Sequence, residues 1–109
     1  WCAPCIIELP YLDSAVDYFK RKDVSLLLVS TDRSPRHEVS SFLDNMRVFK
    51  PLRGYDPKAV WARKLDISAL PVTFLINADQ TKFVYLVGTA DWSEPHVINE
   101  VIAQLSLLN

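Results

Sequence analysis

Glycine, cysteine and histidine are scarce in this 109-residue sequence, and no long apolar run occurs in it. With only Gly54 and Gly88, the chain lacks the glycines that a phosphate-cradling loop requires. The longest apolar segments, residues 24–29 and 72–76, have the length of strands, whereas a bilayer-spanning helix needs about 18 apolar residues. These residues therefore exclude a glycine-rich phosphate site and a membrane-spanning helix.

Charge of either sign is not in excess, because the formal net charge is −1, and no basic block is interleaved with aromatic residues. Such a chain has no electrostatic reason to bind nucleic acid, so we expect no nucleic-acid partner. Half of the residues are apolar, and 109 residues suffice for one hydrophobic core but not for two. We predict one domain over residues 1–109, acting as a monomer.

Apolar residues at spacings of three and four predict an amphipathic helix over residues 6–19. Pro10 should bend this helix without ending it, and the basic residues 20–22 suit its C-terminal end. Residues 24–30 are almost continuously apolar, which is typical of a buried strand in a parallel sheet.

Cap-then-proline pairs at residues 34–35 and 56–57 predict two further helix starts. Residues 72–76 form a second predicted strand, which the polar turn 77–80 joins to residues 82–87 as an antiparallel hairpin. The order helix, strand, helix, helix, strand, strand, helix indicates an α/β sheet covered by helices on both faces.

The last helix should begin at Ser93 as its cap and carry four apolar residues on its inward face: Val97, Val101, Ile102 and Leu105. Trp61 is expected in the core, and Trp92 is expected to staple the start of the last helix. His37 and His96 fall near helix starts, where we expect them to be solvated.

Cys2 and Cys5 lie where the first predicted helix begins. First-turn N–H groups and the positive end of the helix dipole stabilise a thiolate there, which lowers a thiol pKa from about 8.5. Cys2 is therefore the expected nucleophile in disulfide exchange, and Cys5, one turn further in, resolves the mixed disulfide. Pro4 stiffens the turn and lacks an N–H that the first turn would leave unpaired.

Half of a zinc site and two simply packed thiols are the alternatives for Cys2 and Cys5. A zinc site needs two more ligands, for which the sequence offers only His37 and His96, far apart in the chain. Redox chemistry is the favoured interpretation, and the exchange itself requires no organic cofactor and no metal.

Three spaced motifs extend this interpretation. Residues 1–5 read Trp-Cys-Ala-Pro-Cys and are followed by Glu8 and Pro10, residues 66–76 read Asp-Ile-Ser-Ala-Leu-Pro-Val-Thr-Phe-Leu-Ile, and residues 88–92 read Gly-Thr-Ala-Asp-Trp. In this order the motifs resemble the TlpA, ResA and CcmG (DsbE) branch of thioredoxin-like proteins, and the third is most similar to the TlpA subgroup.

The resemblance implies a thioredoxin-like α/β fold, a mixed central sheet flanked by helices. It implies a cis peptide bond before Pro71 in a loop that faces the cysteines. The Leu70 backbone would then pair with an extended substrate, and Trp1 and Pro4 would border the substrate groove.

Glu8 lies one helical turn beyond Cys5, so its carboxylate can reach the side of the active site on which Cys5 lies, the more buried of the two expected cysteine positions. There it would relay protons to and from Cys5 and raise the pKa of that thiol by like-charge repulsion. The alternative is an ordinary exposed helix glutamate.

The resemblance further implies a bacterial reductant on the periplasmic or outer face of the cytoplasmic membrane, tethered by an N-terminal segment. Its partners would be protein disulfides, such as apocytochromes or copper chaperones in cytochrome maturation or oxidase assembly. A membrane electron donor would reduce it again. Two alternatives stay open, a peroxiredoxin-like peroxide reductase attacking through Cys2 and a copper or zinc carrier that uses the dithiol.

The sequence departs from this family pattern in three places. Ile6 stands where a basic residue often follows the second cysteine, and the turn at residues 78–80 lacks the usual glycine. The family also has a central strand running into the Trp-Cys pair, whereas this sequence begins at Trp1. We therefore expect a domain incomplete at its N-terminus, from a longer natural protein.

Overall fold

The computed structural model describes residues 2–109, so the predictions for Trp1 lie outside the described residues. Every predicted element is present, and one strand, β2, is additional. In chain order the elements are α1 (Ala3–Lys20), β1 (Leu27–Ser30), α2 (Arg36–Asn45), β2 (Leu52–Tyr55), α3 (Val60–Lys64), β3 (Val72–Ile76), β4 (Phe83–Val87) and α4 (Pro95–Leu108).

The four strands form two separate ladders. β1 and β2 are parallel, with Leu27 opposite Leu52, and β3 and β4 are antiparallel, with Val72 opposite Val87. Within residues 2–109 the ladders do not pair with each other, so β1 and β3 each keep one edge free. The mixed sheet expected from the sequence is thus present as two halves.

β2 is the one element that the apolar pattern does not predict, because Arg53 and Gly54 interrupt it. The Arg53 guanidinium donates to the Asp44 carboxylate at 2.7 Å and to the Val48 carbonyl at 2.8 Å, so its charge is satisfied beside α2. A Cβ atom on Gly54 would lie 3.3 Å from Cγ2 of Val29, tighter than most contacts of this kind. Glycine therefore lets β2 approach β1 closely.

The hydrophobic core lies where α1 and α4 meet β3. Its buried members come from these three elements and from the loop before α4: Leu12, Ala15, Phe19, Leu75, Trp92, Ile98 and Val101. Burying a large apolar side chain contributes about 1.5–3 kcal/mol, so this cluster dominates the stability of the α1–α4 side. The rings of Phe19 and Trp92 meet edge to face with centroids 6.3 Å apart.

Helix α1 runs unbroken through Pro10, which confirms that the proline does not end it. Its side toward the loop before β2 is fixed by Asp13, whose Oδ1 accepts from the backbone N–H groups of Phe49 and Lys50 at 2.9 and 2.8 Å. These two bonds tie the middle of α1 to the chain segment leading into β2.

Two predicted helix caps are wrong. Pro35, not Ser34, holds the N-cap position of α2, and Glu94, not Ser93, holds that of α4, each without a side-chain cap bond. The Ser93 hydroxyl instead bonds the carboxylate of Asp91, two residues earlier. Ser93 therefore bonds to a neighbouring side chain and does not cap α4.

The start signal at residues 56–57 falls too early, because α3 begins at Val60 and Ala59, not Asp56, holds its N-cap position. The buried Asp56 carboxylate accepts from the backbone N–H groups of Val60 and Trp61, both at 2.9 Å. The prediction that Trp61 belongs to the core is wrong, since 60% of it is exposed. α3 is only one turn and a half long, and Trp61 lies on its outer side with the Lys64 ammonium 5.9 Å above the ring.

The β3–β4 hairpin turns without glycine. Oδ1 of the buried Asn77 accepts from the backbone N–H groups of Thr81 and Lys82, both at 2.9 Å, and its Nδ2 donates to the carbonyl of Leu108 at 3.4 Å. Gln80 takes the left-handed position with φ of 60°. The Asn77 side chain therefore supplies hydrogen bonds that hold the turn together, and the turn forms without a glycine.

Candidate redox site

Cys2 and Cys5 form a disulfide at the N-terminus of α1, with Cα atoms 5.2 Å apart. Cys2 is the N-cap in extended conformation, and its Sγ accepts from the backbone N–H of Cys5 at 3.4 Å. Its carbonyl accepts from the N–H of Ile6 at 3.1 Å, which begins the helical ladder. Cys2 therefore lies where first-turn N–H groups and the helix dipole favour negative charge on sulfur.

Pro4 occupies the first turn of α1, as the sequence predicts, and is exposed beside the disulfide. Cys2 and Cys5 are both partly buried, so neither residue is fully enclosed by the protein. A disulfide in this setting can be attacked by an external thiolate. The reduced pair can in turn attack an external disulfide.

Glu8 is not an exposed helix glutamate, because only 5% of it is accessible. Its Oε1 accepts from the backbone N–H of Ala90 at 3.1 Å, and its Oε2 accepts from the indole N–H of Trp92 at 3.0 Å. Each carboxylate oxygen thus has one donor from the β4–α4 loop. The helix that begins with the disulfide is anchored to that loop one turn beyond Cys5.

The peptide bond between Leu70 and Pro71 is cis, as the resemblance implies. The Pro71 carbonyl accepts from the N–H of Gly88 at 2.9 Å, extending the β3–β4 ladder by one pair. Among the hydrogen bonds of residues 2–109, none involves the Leu70 backbone and none joins this loop to Cys2 or Cys5. Within residues 2–109, therefore, the Leu70 amide and carbonyl have no hydrogen-bond partner.

Trp92 is the site residue that the sequence interpretation missed. It is 3% exposed and lies with Ile98 in the core cluster, at the entrance to α4 where the staple was expected. Its additional contact, the hydrogen bond to Glu8, spans 84 residues of sequence. A buried tryptophan needs a hydrogen-bond acceptor for its N–H, and the sequence already places a glutamate near the active site. These two facts together could have predicted the pair.

His37 and His96 are exposed near the starts of α2 and α4, which confirms the expectation for both. In the part of the chain that the structure describes, no three side chains of histidine, cysteine, aspartate or glutamate come together as a potential metal-ligand set. Nor does any helix of residues 2–109 have the length and apolar character needed to cross a membrane.

The two ladders, the cis proline and the disulfide at a helix N-terminus define a thioredoxin-like protein with a local cysteine pair. The chain belongs to the AhpC/TSA family, whose model matches residues 1–82. It is 32% identical over 97 residues to the thiol-disulfide oxidoreductase ResA of Bacillus subtilis, covering 88% of this chain and 52% of that protein. It is 27% identical over 89 residues to ResA of Geobacillus kaustophilus, covering 82% of this chain and 50% of that protein.

Solved structures share the fold. One is described as a thiol:disulfide interchange protein DsbE from Chlorobium tepidum; it has a TM-score of 0.77 and 23% identity over 96% of this chain and 73% of its own. StoA from Bacillus subtilis has a TM-score of 0.73 and 22% identity over 91% of this chain and 73% of its own. The thioredoxin-like fold and the resemblance to the ResA and CcmG branch are thereby confirmed. The chain spans about half the length of the curated relatives it matches.

Proposed function

We propose that this protein is a thiol–disulfide oxidoreductase whose Cys2–Cys5 pair cycles between dithiol and disulfide. The observation that carries the proposal is the disulfide at the N-terminus of α1, with the Cys5 N–H directed at Cys2 Sγ. That N–H and the helix dipole favour the Cys2 thiolate, so we expect a lowered pKa for this thiol in the reduced protein. Relatives named thiol-disulfide oxidoreductase ResA support the same chemistry.

The exchange proceeds in two displacements. The Cys2 thiolate attacks one sulfur of the substrate disulfide, whose S–S bond breaks, and the departing substrate thiolate takes up a proton. Cys5, deprotonated, then attacks Cys2 Sγ in the mixed disulfide, forming the Cys2–Cys5 bond and releasing the second substrate thiolate. Two electrons pass from the protein dithiol to the substrate disulfide.

Glu8 is the residue that we propose moves the proton at Cys5. It lies three residues after Cys5 on α1, and residues at this spacing are neighbours on a helix surface. Its carboxylate can take the thiol proton when Cys5 becomes the attacking group and return it when the disulfide is reduced. Its burial and its two donors favour this role over that of a solvated glutamate.

The segment at Leu70–Pro71 is the proposed docking edge for the substrate chain. The free amide and carbonyl of Leu70 can pair with an extended peptide, which gives affinity with little sequence selectivity. Pro4 and Trp1 would border the same groove, with Trp1 lying outside the described residues. The partners we propose are protein disulfides of cytochrome maturation or oxidase assembly, such as apocytochromes or copper chaperones.

A location on the outer face of a bacterial cytoplasmic membrane is part of the proposal, with re-reduction by a membrane electron donor. Both rest on the resemblance to the ResA and CcmG branch. We also propose that a further strand pairs with the free edges of β1 and β3. The support is that within residues 2–109 these edges are unpaired, as are those of β2 and β4, and that Leu27, Val29 and Ile76 are each more than half exposed; the choice of β1 and β3 rests on the resemblance. The test compares amide exchange in two samples, the full-length protein and residues 1–109 alone. We expect the amides of β1 and β3 to exchange more slowly in the full-length protein, and equal rates would contradict the proposal.

Trapping of the substrate tests the redox proposal directly. In the full-length protein, Cys5→Ser should accumulate a mixed disulfide through Cys2 that dithiothreitol releases, because the resolving thiol is gone. Cys2→Ser is the matched control and should trap nothing. Equal trapping by both variants, or by neither, would contradict the proposed order of attack.

Peroxide consumption separates this proposal from the peroxiredoxin-like alternative, which the match to the AhpC/TSA family makes worth measuring. We expect the reduced protein to reduce insulin disulfides and to consume hydrogen peroxide no faster than a small dithiol at the same concentration. Rapid peroxide turnover that depends on Cys2, without insulin reduction, would favour the alternative.

A further inference from the structure

The loop between β4 and α4 holds Glu8 from one side. The Trp92 indole N–H donates to Oε2 at 3.0 Å and the Ala90 backbone N–H donates to Oε1 at 3.1 Å. Both partners are donors, which suits a carboxylate. Glu8 is 5% exposed and Trp92 is 3% exposed, so water does not compete strongly for either oxygen.

The two donors differ in what fixes them. The Ala90 N–H belongs to the backbone, whereas the Trp92 N–H depends on one side chain locked in the core against Phe19, with ring centroids 6.3 Å apart. The orientation of Oε2 is therefore set by a side chain that packs in the core and lies outside the cysteine motif.

We propose that Trp92 is a positioning residue for the redox site, acting on Cys5 through the Glu8 carboxylate. This inference rests on the proposed role of Glu8 in proton transfer. With the indole N–H in place, the carboxylate is held in one orientation one turn beyond Cys5. Without it, Oε2 loses its partner and the carboxyl group can rotate, which changes the electrostatic environment of the Cys5 thiol.

Other charged groups near the loop have partners of their own. The Asp91 carboxylate is exposed and accepts from Ser93, and at the N-cap of α4 the exposed Glu94 carboxylate lies 3.5 Å from His96 Nδ1. On α1 the residues three positions before and after Glu8 are Cys5, which is in the disulfide, and Tyr11, which is 49% exposed. None of these side chains hydrogen-bonds to Glu8 among the described residues. The donors that orient its carboxylate are therefore Trp92 and Ala90.

A double-mutant cycle tests the inference. Four variants of the full-length protein are compared, all carrying Cys2→Ser: Glu8 or Glu8→Gln, each combined with Trp92 or Trp92→Phe. For each variant the rate of Cys5 alkylation is measured as a function of pH. Phenylalanine keeps an aromatic ring against Phe19 but removes the indole N–H together with the volume of the second ring, so the Glu8→Gln background is needed to separate the loss of the donor from the loss of packing. Trp92→Phe should shift the Cys5 midpoint by about 0.5 pH unit when Glu8 is present and by less than a third of that beside Glu8→Gln.

An equal shift in both backgrounds, or no shift in either, would overturn the inference, because packing alone would then explain the effect. Trp61→Phe, on the exposed side of α3, is the matched control and should leave the midpoint unchanged. If Trp92→Phe does not fold, the assigned indole N–H resonance of Trp92 replaces it. That resonance should move in Glu8→Gln while the Trp61 resonance stays, and an unmoved Trp92 resonance would equally overturn the inference.

The outcomes also distinguish this inference from the proposed function. If Glu8→Gln itself leaves the Cys5 titration unchanged, the proton role of Glu8 fails and the positioning role fails with it. If the cycle shows coupling but the protein reduces no disulfide, the proposed activity fails and the positioning of Glu8 by Trp92 stands.

Discussion

Replacing Glu8 by glutamine measures how much the buried carboxylate contributes to the fold. Glu8 is 5% exposed and accepts one hydrogen bond on each oxygen, from Ala90 and Trp92. Glutamine offers one oxygen and one NH₂ group, so one of the two N–H donors must face another donor. Losing one bond to a charged group while leaving a buried N–H unpaired should lower the free energy of unfolding by about 2–3 kcal/mol.

The assay is urea unfolding of the oxidised full-length protein, followed by circular dichroism at neutral pH. The midpoint should fall while the slope with denaturant stays the same, since the surface exposed on unfolding is unchanged. Glu100→Gln on the exposed side of α4 is the matched control and should change stability by less than about 0.5 kcal/mol. A Glu8→Gln loss as small as that of the control would refute the reasoning, because the two bonds would then contribute nothing net.

Three further predictions concern positions away from the cysteines. Gln80→Gly should raise stability by about 1 kcal/mol, measured as a higher midpoint of thermal unfolding, because φ is 60° there; a lower midpoint would contradict it. Trp61→Ala should lower the free energy of unfolding by about 1 kcal/mol at most, since the side chain is mostly exposed; a loss of about 3 kcal/mol would mean that it is buried after all.

The pKa of Asp17 is lowered mainly by the hydrogen bond from Lys50 and secondly by the Lys50 charge. The contribution of this pair to stability is therefore complete above the pKa that Asp17 has in the unfolded chain, and it is lost as the pH falls through the lower pKa of the folded protein. Asp17→Asn should therefore flatten the urea midpoint against pH at the acid end, an effect that salt weakens, and an unchanged profile would contradict it.

The parts of the fold that sequence predicts correctly are those fixed by local pattern. Helix α1 shows an apolar period that persists across Pro10, and β3 and β4 are apolar runs separated by a polar turn. The cysteine pair is equally local, because four residues at a helix start set both its geometry and its electrostatics. In each case neighbours in the chain are also the neighbours that determine the structure.

What sequence pattern could not predict depends on distant partners. β2 has no continuous apolar run, and it forms where Arg53 bonds to Asp44 and where Gly54 can lie against Val29. Trp61 is apolar by type and is exposed nonetheless, because the short α3 presents it to solvent. Apolar character alone does not say which residues meet.

The pairing of Glu8 with Trp92 shows the same limit at the site. Sequence places Glu8 near Cys5 and places Trp92 at the entrance to α4, but their bond spans 84 residues and follows from the packing of α1 against α4. A turn's distance along the helix predicts proximity to the thiol. It does not predict burial.

The burial of Glu8 is difficult to explain by stability alone. Moving a carboxylate out of water costs free energy that its hydrogen bonds have to offset, whereas a well-packed apolar residue at the same position would avoid that cost altogether. The carboxylate lies one turn from Cys5, whose sulfur must lose and regain a proton in the proposed exchange cycle, and a nearby proton acceptor is what that step requires. The buried carboxylate thus lies where the proposed chemistry has a use for it, and the donors on the β4–α4 loop hold it there.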